Sequence, residues 1–533
     1  MISLVGTGAL LRLALRRDRI RLPAWVAVLP LVAIVTASAF IELYPTPSSR
    51  LPFAMSIGRN AALRALVGTP FDLGSIGGLT AWRLGVLGAV LAALMSAFTV
   101  VRHTRAEEEA GRLELLGAGV VGRSAAPAAA LIVAFGTNLL AALGVTAGLI
   151  ALGLPAAGSL ALGLALAGAG WLFAALAAVA AQIVDTARGA RGIAGGVLGL
   201  SFLLRAAGDA AGEGGPSWLS WLSPIGWTQQ IRPFAGERWG ILVLATAVAV
   251  VFAVAALALA ARRDVGASLF PPRLGPPEAA AGLRGPFALA WRLQRGALLA
   301  ATLGCAVAGG VLGSMADGIA DIARGNLQIG AILTMIGGAK GLVDAYFSAI
   351  MAIVGLVATA YAVQATLRLR AEETELRAEP ILAASVGRTR WVLGHLAIAG
   401  LGPPMLLCVA GLAAGLAYGL RSGHIASVLP RLLGIALVQV PAAWVLAAIA
   451  AALFGLAPRL ANATWGALVA FLLLAQLGPM LRLPRWAIDV SPFAHVPRLP
   501  GVDPTAAPII GLCAVAAALT AAGLIGFRRR DVG

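Results

Sequence analysis

Twelve apolar runs, most of them long enough to cross a bilayer, set the terms for this chain of 533 residues. They fall at about 22–42, 84–101, 126–152, 159–183, 192–208, 239–261, 296–315, 346–366, 391–419, 429–456, 462–480 and 507–527. A helix needs about 20 apolar residues to cross the hydrocarbon core. Composition agrees: 60% of residues are hydrophobic and 12% charged, against roughly a quarter charged in a soluble domain. Disorder, a collagen triplet and a disulfide scaffold are excluded together by the apolar content, the lack of a glycine period and the three cysteines. Cys305, Cys408 and Cys513 each sit inside an apolar run and read as small core residues. The expected fold is an all-α polytopic membrane protein of about twelve spans.

The charge places those spans. Lys+Arg total 40 against 23 acidic residues, a net charge of +17, which in a soluble protein would suggest a nucleic-acid partner. With the amino terminus in the cytoplasm, 26 of the 40 basic residues fall in the inner segments, which are also the shorter ones. The positive-inside rule therefore accounts for the excess through the lipid bilayer, without nucleic acid, and puts both termini in the cytoplasm. Arg16, Arg17, Arg19 and Arg21 precede a run containing Ala37-Ser38-Ala39, a pattern that imitates a cleaved signal. The run is longer than a signal core and is read as a retained span.

The chain repeats itself. RAEEEAGRLELLGAGVVGRS from Arg105 to Ser124 recurs as RAEETELRAEPILAASVGRT from Arg370 to Thr389, with ten of twenty positions identical and no gap. RRDVG recurs at Arg262 and Arg529, Ser-Pro at Ser223-Pro224 and Ser491-Pro492, and Leu-Ala-x-Arg at Leu13 and Leu289. The same order at the same topological places predicts two six-helix halves, residues 1–266 and 285–533, joined by a cytoplasmic Pro-rich linker at 267–284.

The acidic copies carry the functional signal. Glu107, Glu108, Glu109 and Glu114, and in the second copy Glu372, Glu373, Glu375 and Glu379, make two densely charged helices on the side where arginine is expected. Glu108 with Arg112 and Glu373 with Arg377 have i,i+4 spacing, which supports a short helix, and Leu113 and Leu116 are available for packing. One such run fits a solvated helix; its duplication favours a partner surface.

This pattern, E-E-x-x-x-R-x-E followed by V-G-R after the second span, resembles the cytoplasmic coupling helix of ABC-2-type exporter permeases. The duplicated twelve-helix arrangement is similar to the actinobacterial permeases that export polyketide antibiotics or tetronasin. Pro380, where leucine is usual, departs from the pattern. The resemblance implies a bacterial plasma-membrane permease in which one chain supplies both halves of a pseudo-twofold exporter around a central path. It implies export of amphipathic drugs or antibiotics, and a separate nucleotide-binding ATPase in two copies, carrying ATP and Mg, that docks on the acidic helices. The chain has no cofactor or metal of its own in this reading and is not itself an enzyme. A P-loop needs G-x-x-x-x-G-K-[ST], and the single lysine, Lys340, lies between Ala339 and Gly341.

The alternative is an ion-coupled multidrug transporter working by proton antiport. Such proteins carry titratable groups within the membrane, and no Asp or Glu falls near the centre of a span; His395 lies near an inner end and reads as packing. A membrane enzyme is unsupported, since His103, His395, His424 and His495 lack ligand spacing. Trp218, Trp221, Trp227 and Trp486 flank the two Ser-Pro pairs. They fit an aromatic belt at the outer interface, while the resemblance implies an outer gate at Ser223, Pro224, Ser491 and Pro492. By the same resemblance the second and fifth helices of each half line the path, with Met95, Phe98, Phe202, Tyr361, Gln364, Phe471 and Gln476 as candidates. Core packing is the competing reading for each.

Overall fold

The computed structural model describes all residues except 1–2, 51–60, 118, 211–217, 265, 270–276, 279, 284, 317–341, 385, 478–483, 498, 500–505 and 532–533. Lys340, much of the Pro-rich linker and the end of the 462–480 run lie outside the described residues. Among the described residues the regular structure is helical throughout, and eleven helices are long and apolar enough to cross a membrane. Eleven of the twelve runs find a spanning helix. The exception, 462–480, is described as Thr464–Leu477, 14 residues. The short, glycine-rich run at 192–208 belongs to a helix of 24 residues, Ala187–Ala210.

The chain divides into two compact units, Met1–Gly275 and Pro276–Gly533. The first holds α1 (Thr7–Arg17), α2 (Arg21–Leu43), α3 (Ala61–Val67), α4 (Ile76–His103), α5 (Arg105–Glu109), α6 (Arg112–Gly117), α7 (Ala125–Ala151), α8 (Ala156–Ile183), α9 (Ala187–Ala210), α10 (Trp218–Trp221), α11 (Pro224–Gln230) and α12 (Trp239–Arg262). Helix α8 is apolar on every side and packs against α4, α7, α9 and α12, so it forms the middle of the unit. Helix α1 lies outside the twelve apolar runs; it is amphipathic and ends in Arg16 and Arg17.

The second unit holds α13 (Pro286–Ser314), α14 (Leu342–Thr374), α15 (Ala378–Ala383), α16 (Arg388–Ser422), α17 (Ile425–Leu437), α18 (Val440–Leu456), α19 (Thr464–Leu477), α20 (Arg485–Asp489) and α21 (Ala506–Arg529). Neighbours recur: α2 packs on α7 as α13 does on α16, α4 on α8 as α14 on α18, and α8 on α12 as α18 on α21. The repeat extends to the buried face. In the last helix of each unit the buried residues are Ala245, Ala249, Ala256 and Ala260, and then Leu512, Ala516, Gly523 and Phe527, each pair 267 residues apart. In the first helices, Ala14, Asp18, Leu22, Leu29, Ala33 and Ala37 correspond to Ala290, Gln294, Leu298, Cys305, Gly309 and Gly313. The second unit runs through this stretch as one helix, whereas the first breaks after Arg17. There the Asp18 carboxylate is held by Arg102 at 3.0 Å and His103 at 2.7 Å.

Small residues make these contacts possible. Lipid tails are as apolar as leucine, so membrane helices associate through close packing rather than hydrophobic exclusion. A Cβ added at Gly523 would lie 2.4 Å from the Ala451 carbonyl oxygen of α18, and one at Gly313 would lie 2.5 Å from that of Ala414 in α16. Gly511, on the same helix as Gly523, faces open space. Gly523→Val should therefore lower the thermal midpoint of the purified protein by several degrees through an overpacking cost of about 1–3 kcal/mol, while Gly511→Val leaves it unchanged. Equal midpoints in a thermal-shift measurement would remove this contact as a determinant of packing.

Candidate functional site

The acidic segments sit where the second and eighth apolar runs end. In the first unit Thr104 bends the chain out of α4, and its hydroxyl donates to the Val100 carbonyl at 2.7 Å. Helix α5 then stops at Gly111, whose φ of 70° is open to glycine. In the second unit α14 runs on to Thr374, and Leu376, the counterpart of Gly111, takes φ 57°. There Leu376 N–H donates to Glu373 O and Arg377 N–H to Glu372 O, the paired bonds of a left-handed helix stop.

That stop changes the ion pairs. The i,i+4 pairs expected from the spacing do not form. With the chain turned at 111 and 376, Arg112 reaches Glu107 with bonds of 2.6 and 3.0 Å, and Arg377 reaches Glu372 with bonds of 2.8 and 3.1 Å. Glu107 also pairs with Arg17 of α1, and Glu372 with Arg368 at 2.5 Å. Beyond the membrane helices, the Glu107 pair holds the Arg112 guanidinium above its ordinary pKa, and Glu372 and Glu375 do the same for Arg377.

Glu108 and Glu373 look inward. Arg263, just past the end of α12, grips Glu108 at 2.5 and 3.0 Å, and Arg105 adds a bond of 2.6 Å. Arg530, just past the end of α21, grips Glu373 at 2.6 and 2.9 Å, with Arg370 at 3.2 Å. Arg105 is only 1% exposed and also donates to the Ala181 and Ala267 carbonyls. The surroundings differ between units. Arg263 donates to the Gln182 side chain of α8 at 2.6 Å, whereas Arg530 lies 5.0 Å from the ring centres of Phe454 and Phe527. The signal for these partners was the recurrence of RRDVG, which the sequence reading noted without giving it a role.

The four leading glutamates are therefore ion-paired within their own unit; Glu372 and Glu373 are buried, whereas Glu107 and Glu108 keep part of their surface exposed. The exposed face is different. Glu114 and Leu115 (79% exposed) point outward in the first copy, as do Glu375, Leu376 (60%) and Glu379 in the second. Glu109 is also exposed but accepts a bond from the Ala187 N–H at the start of α9. Leu113 is half-buried and lines a shallow recess with Leu10, Leu13, Arg17 and His103. The Leu116 side chain lies outside the described residues.

At the opposite end the serine of each Ser-Pro pair is tied back to a carbonyl of the preceding long helix. Ser223 is buried, caps α11 by accepting from Gly226 N–H, and donates to the Ser201 carbonyl of α9 at 2.6 Å. Ser491 is buried and donates to the Phe471 carbonyl of α19 at 2.9 Å. Pro224 and Pro492 each open a short helical turn. Trp218, Trp221 and Trp486 are exposed, as an interfacial belt requires. Arg205, near the end of the 192–208 run, and Asp209 form a group with Ser220. Arg205 is fully buried, pairs with Asp209 at 3.1 Å and donates to the Ala65 carbonyl at the end of α3, while Asp209 accepts from Ser220.

The path candidates separate. Met95 and Tyr361 are buried, Tyr361 against Gly402. Phe202 is half-buried beneath the Arg205 guanidinium, and Phe471 packs beside Val363 and Leu446. Phe98 and Gln364 are exposed. The Gln476 side chain lies outside the described residues. His395 is buried, with Gln294 donating to its Nδ1 at 3.0 Å and Trp391 against its ring. Among the described residues no histidine, cysteine or carboxylate cluster is arranged to hold a metal.

These features define a multi-pass, all-α membrane protein built on a repeated unit, with an ion-paired acidic segment in each copy. The chain belongs to the multidrug efflux permease family. The family described as "Multidrug efflux system permease Rv1217c, C-terminal domain" matches residues 8–260 and 283–528. The chain is similar to the multidrug efflux system permease protein Rv1217c of Mycobacterium tuberculosis (strain ATCC 25618 / H37Rv), at 46% identity over 529 residues, 99% of this chain and 95% of that protein.

The inward and outward glutamates should separate in stability. Glu108→Ala or Glu373→Ala leaves two arginines facing a buried gap and should cost about 3–5 kcal/mol. Glu114→Ala or Glu379→Ala should leave stability unchanged. Chemical denaturation of the four variants in detergent measures both, and equal losses would mean the burial pattern does not govern this site.

Proposed function

We propose that this chain is the transmembrane permease of an ATP-binding cassette exporter that moves amphipathic drugs and antibiotics out of the cell. The observation that carries this reading is the acidic segment built twice, each copy fastened on one face by ion pairs and bare on the other. Two like docking faces suit two copies of a separate ATPase, which binds ATP and Mg. The name of the relative, a multidrug efflux system permease, supports the substrate class and the presence of further components. In this reading the ATPase meets Glu114, Leu115, Leu376 and Glu379 rather than the ion-paired glutamates. Closure of the ATPase pair on ATP presses on these segments and drives the membrane helices between two arrangements. The permease itself does no covalent chemistry.

Reconstitution tests the energy source. Proteoliposomes holding the permease and its ATPase, with no ion gradient, should accumulate a fluorescent amphipathic drug on addition of MgATP. Arginine at both 114 and 379 should abolish co-purification with the ATPase, because like charge at a contact costs several kcal/mol. Uptake driven by a pH gradient without the ATPase would replace this reading with proton antiport.

Orientation follows from the basic bias: both termini and the linker lie in the cytoplasm. Glu278→Cys should react with an impermeant maleimide only after the cells are opened. Labelling in intact cells would invert the topology.

A further inference from the structure

We infer that Arg263 and Arg530 are positioning residues for coupling: each ties the docking segment of its unit to the last membrane helix of that unit, so that a push on the segment is delivered to that helix. The inference rests on the docking role proposed above and deepens it.

Geometry supplies the first argument. Both arginines stand one residue beyond the last helical residue, after Arg262 in α12 and after Arg529 in α21. Both meet the glutamate through two nitrogens and two oxygens: Arg263 at 2.5 and 3.0 Å, Arg530 at 2.6 and 2.9 Å. A fork-to-fork pair fixes orientation as well as distance. An ordinary solvated pair is loosely held and transmits little, but here the Glu108 and Arg263 side chains are each 10% exposed, and those of Glu373 and Arg530 6% and 19%.

Repetition supplies the second. Two of the sequence motifs shared by the halves, the acidic segment and RRDVG, lie about 150 residues apart along the chain, and these ion pairs join them in both units. Their supports differ, a hydrogen bond from Arg263 to Gln182 in one and the faces of Phe454 and Phe527 beside Arg530 in the other. The glutamate-to-arginine link is the shared element.

A redundancy makes the idea testable. If Arg263 is lost, Arg105 still pairs with Glu108 at 2.6 Å; if Arg530 is lost, Arg370 remains near Glu373 at 3.2 Å. Arg263→Gln and Arg530→Gln therefore cut the link without stranding a carboxylate. Arg263→Lys and Arg530→Lys keep the charge and lose the planar fork.

The permease–ATPase complex is reconstituted with each variant, and basal and drug-stimulated hydrolysis are measured beside co-purification. Glutamine variants should assemble and hydrolyse ATP at the parent's basal rate, with drug stimulation reduced roughly 3- to 30-fold and lysine variants in between. In parallel, nitroxides at Leu115→Cys and Val251→Cys, with Cys305, Cys408 and Cys513 replaced by alanine, report the segment-to-helix distance in the permease alone. Its distribution should be narrow in the parent and broad in Arg263→Gln. Full stimulation with a narrow distribution in Arg263→Gln overturns the inference. So does a proportional fall of assembly, basal and stimulated rates together, which marks a merely structural role. If the parent binds no ATPase, the docking reading fails, and the nitroxide distances still decide whether the link exists.

Discussion

The hydrocarbon of a bilayer offers a backbone no hydrogen-bond partner and gives apolar side chains no reason to leave it for one another. The first condition makes each span a helix. The second leaves helix association to contact distance, and contact distance to the size of a few residues. The whole architecture follows from where alanine and glycine fall. Ala245, Ala249, Ala256 and Ala260 let α12 lie against α8, and Ala516 and Gly523 do the same for α21 against α18. The acidic segments stand at the ends of α4 and α14. There water and low dielectric meet, and a two-pronged pair of arginine and carboxylate both satisfies itself and fixes direction.

Much of this was legible in the sequence. Span length gave the helices, and the gap-free match beginning at Arg105 and Arg370 marked equivalent places in the fold. The buried faces were harder to read because the spans are apolar all round; periodicity cannot tell a lipid-facing leucine from a packed one. Met95 and Tyr361 shared that ambiguity; both are buried. The ionic partners of the acidic segments escaped for another reason. Sequence spacing sees neighbours along one helix, so Glu108 was matched with Arg112. The observed partners are Arg263 and Arg105, while Arg112, turned at Gly111, reaches Glu107 instead.

The two copies also differ where their common ancestry is plainest. Asp18 interrupts the first helix and meets Arg102 and His103, whereas Gln294 leaves α13 unbroken and meets His395. One unit therefore begins with a separate amphipathic helix that reaches the acidic segment through Arg17 and Glu107. The other begins with a single rod. At the far end of the same network, Gln182 holds its arginine by a hydrogen bond and Phe454 holds its arginine by a ring face. The shared scaffold accepts polar or aromatic support at one position, because what it needs there is a fixed guanidinium.

Leu376 carries a consequence of its own. Left-handed backbone costs a leucine roughly 1–2 kcal/mol, a cost that glycine at position 111 does not bear. The first helix stop is thus intrinsic to its residue, and the second is conditional on its neighbours, chiefly the bonds from Arg377 to Glu372. Ionic strength weakens such bonds where they are exposed to water; the Arg377 and Arg112 side chains are alike in this, 45% and 49% exposed, but only the Arg377 pair supports a leucine in left-handed backbone. The second segment therefore behaves as the salt-labile element of the pair, and in concentrated electrolyte the twofold likeness of the molecule breaks first at Leu376.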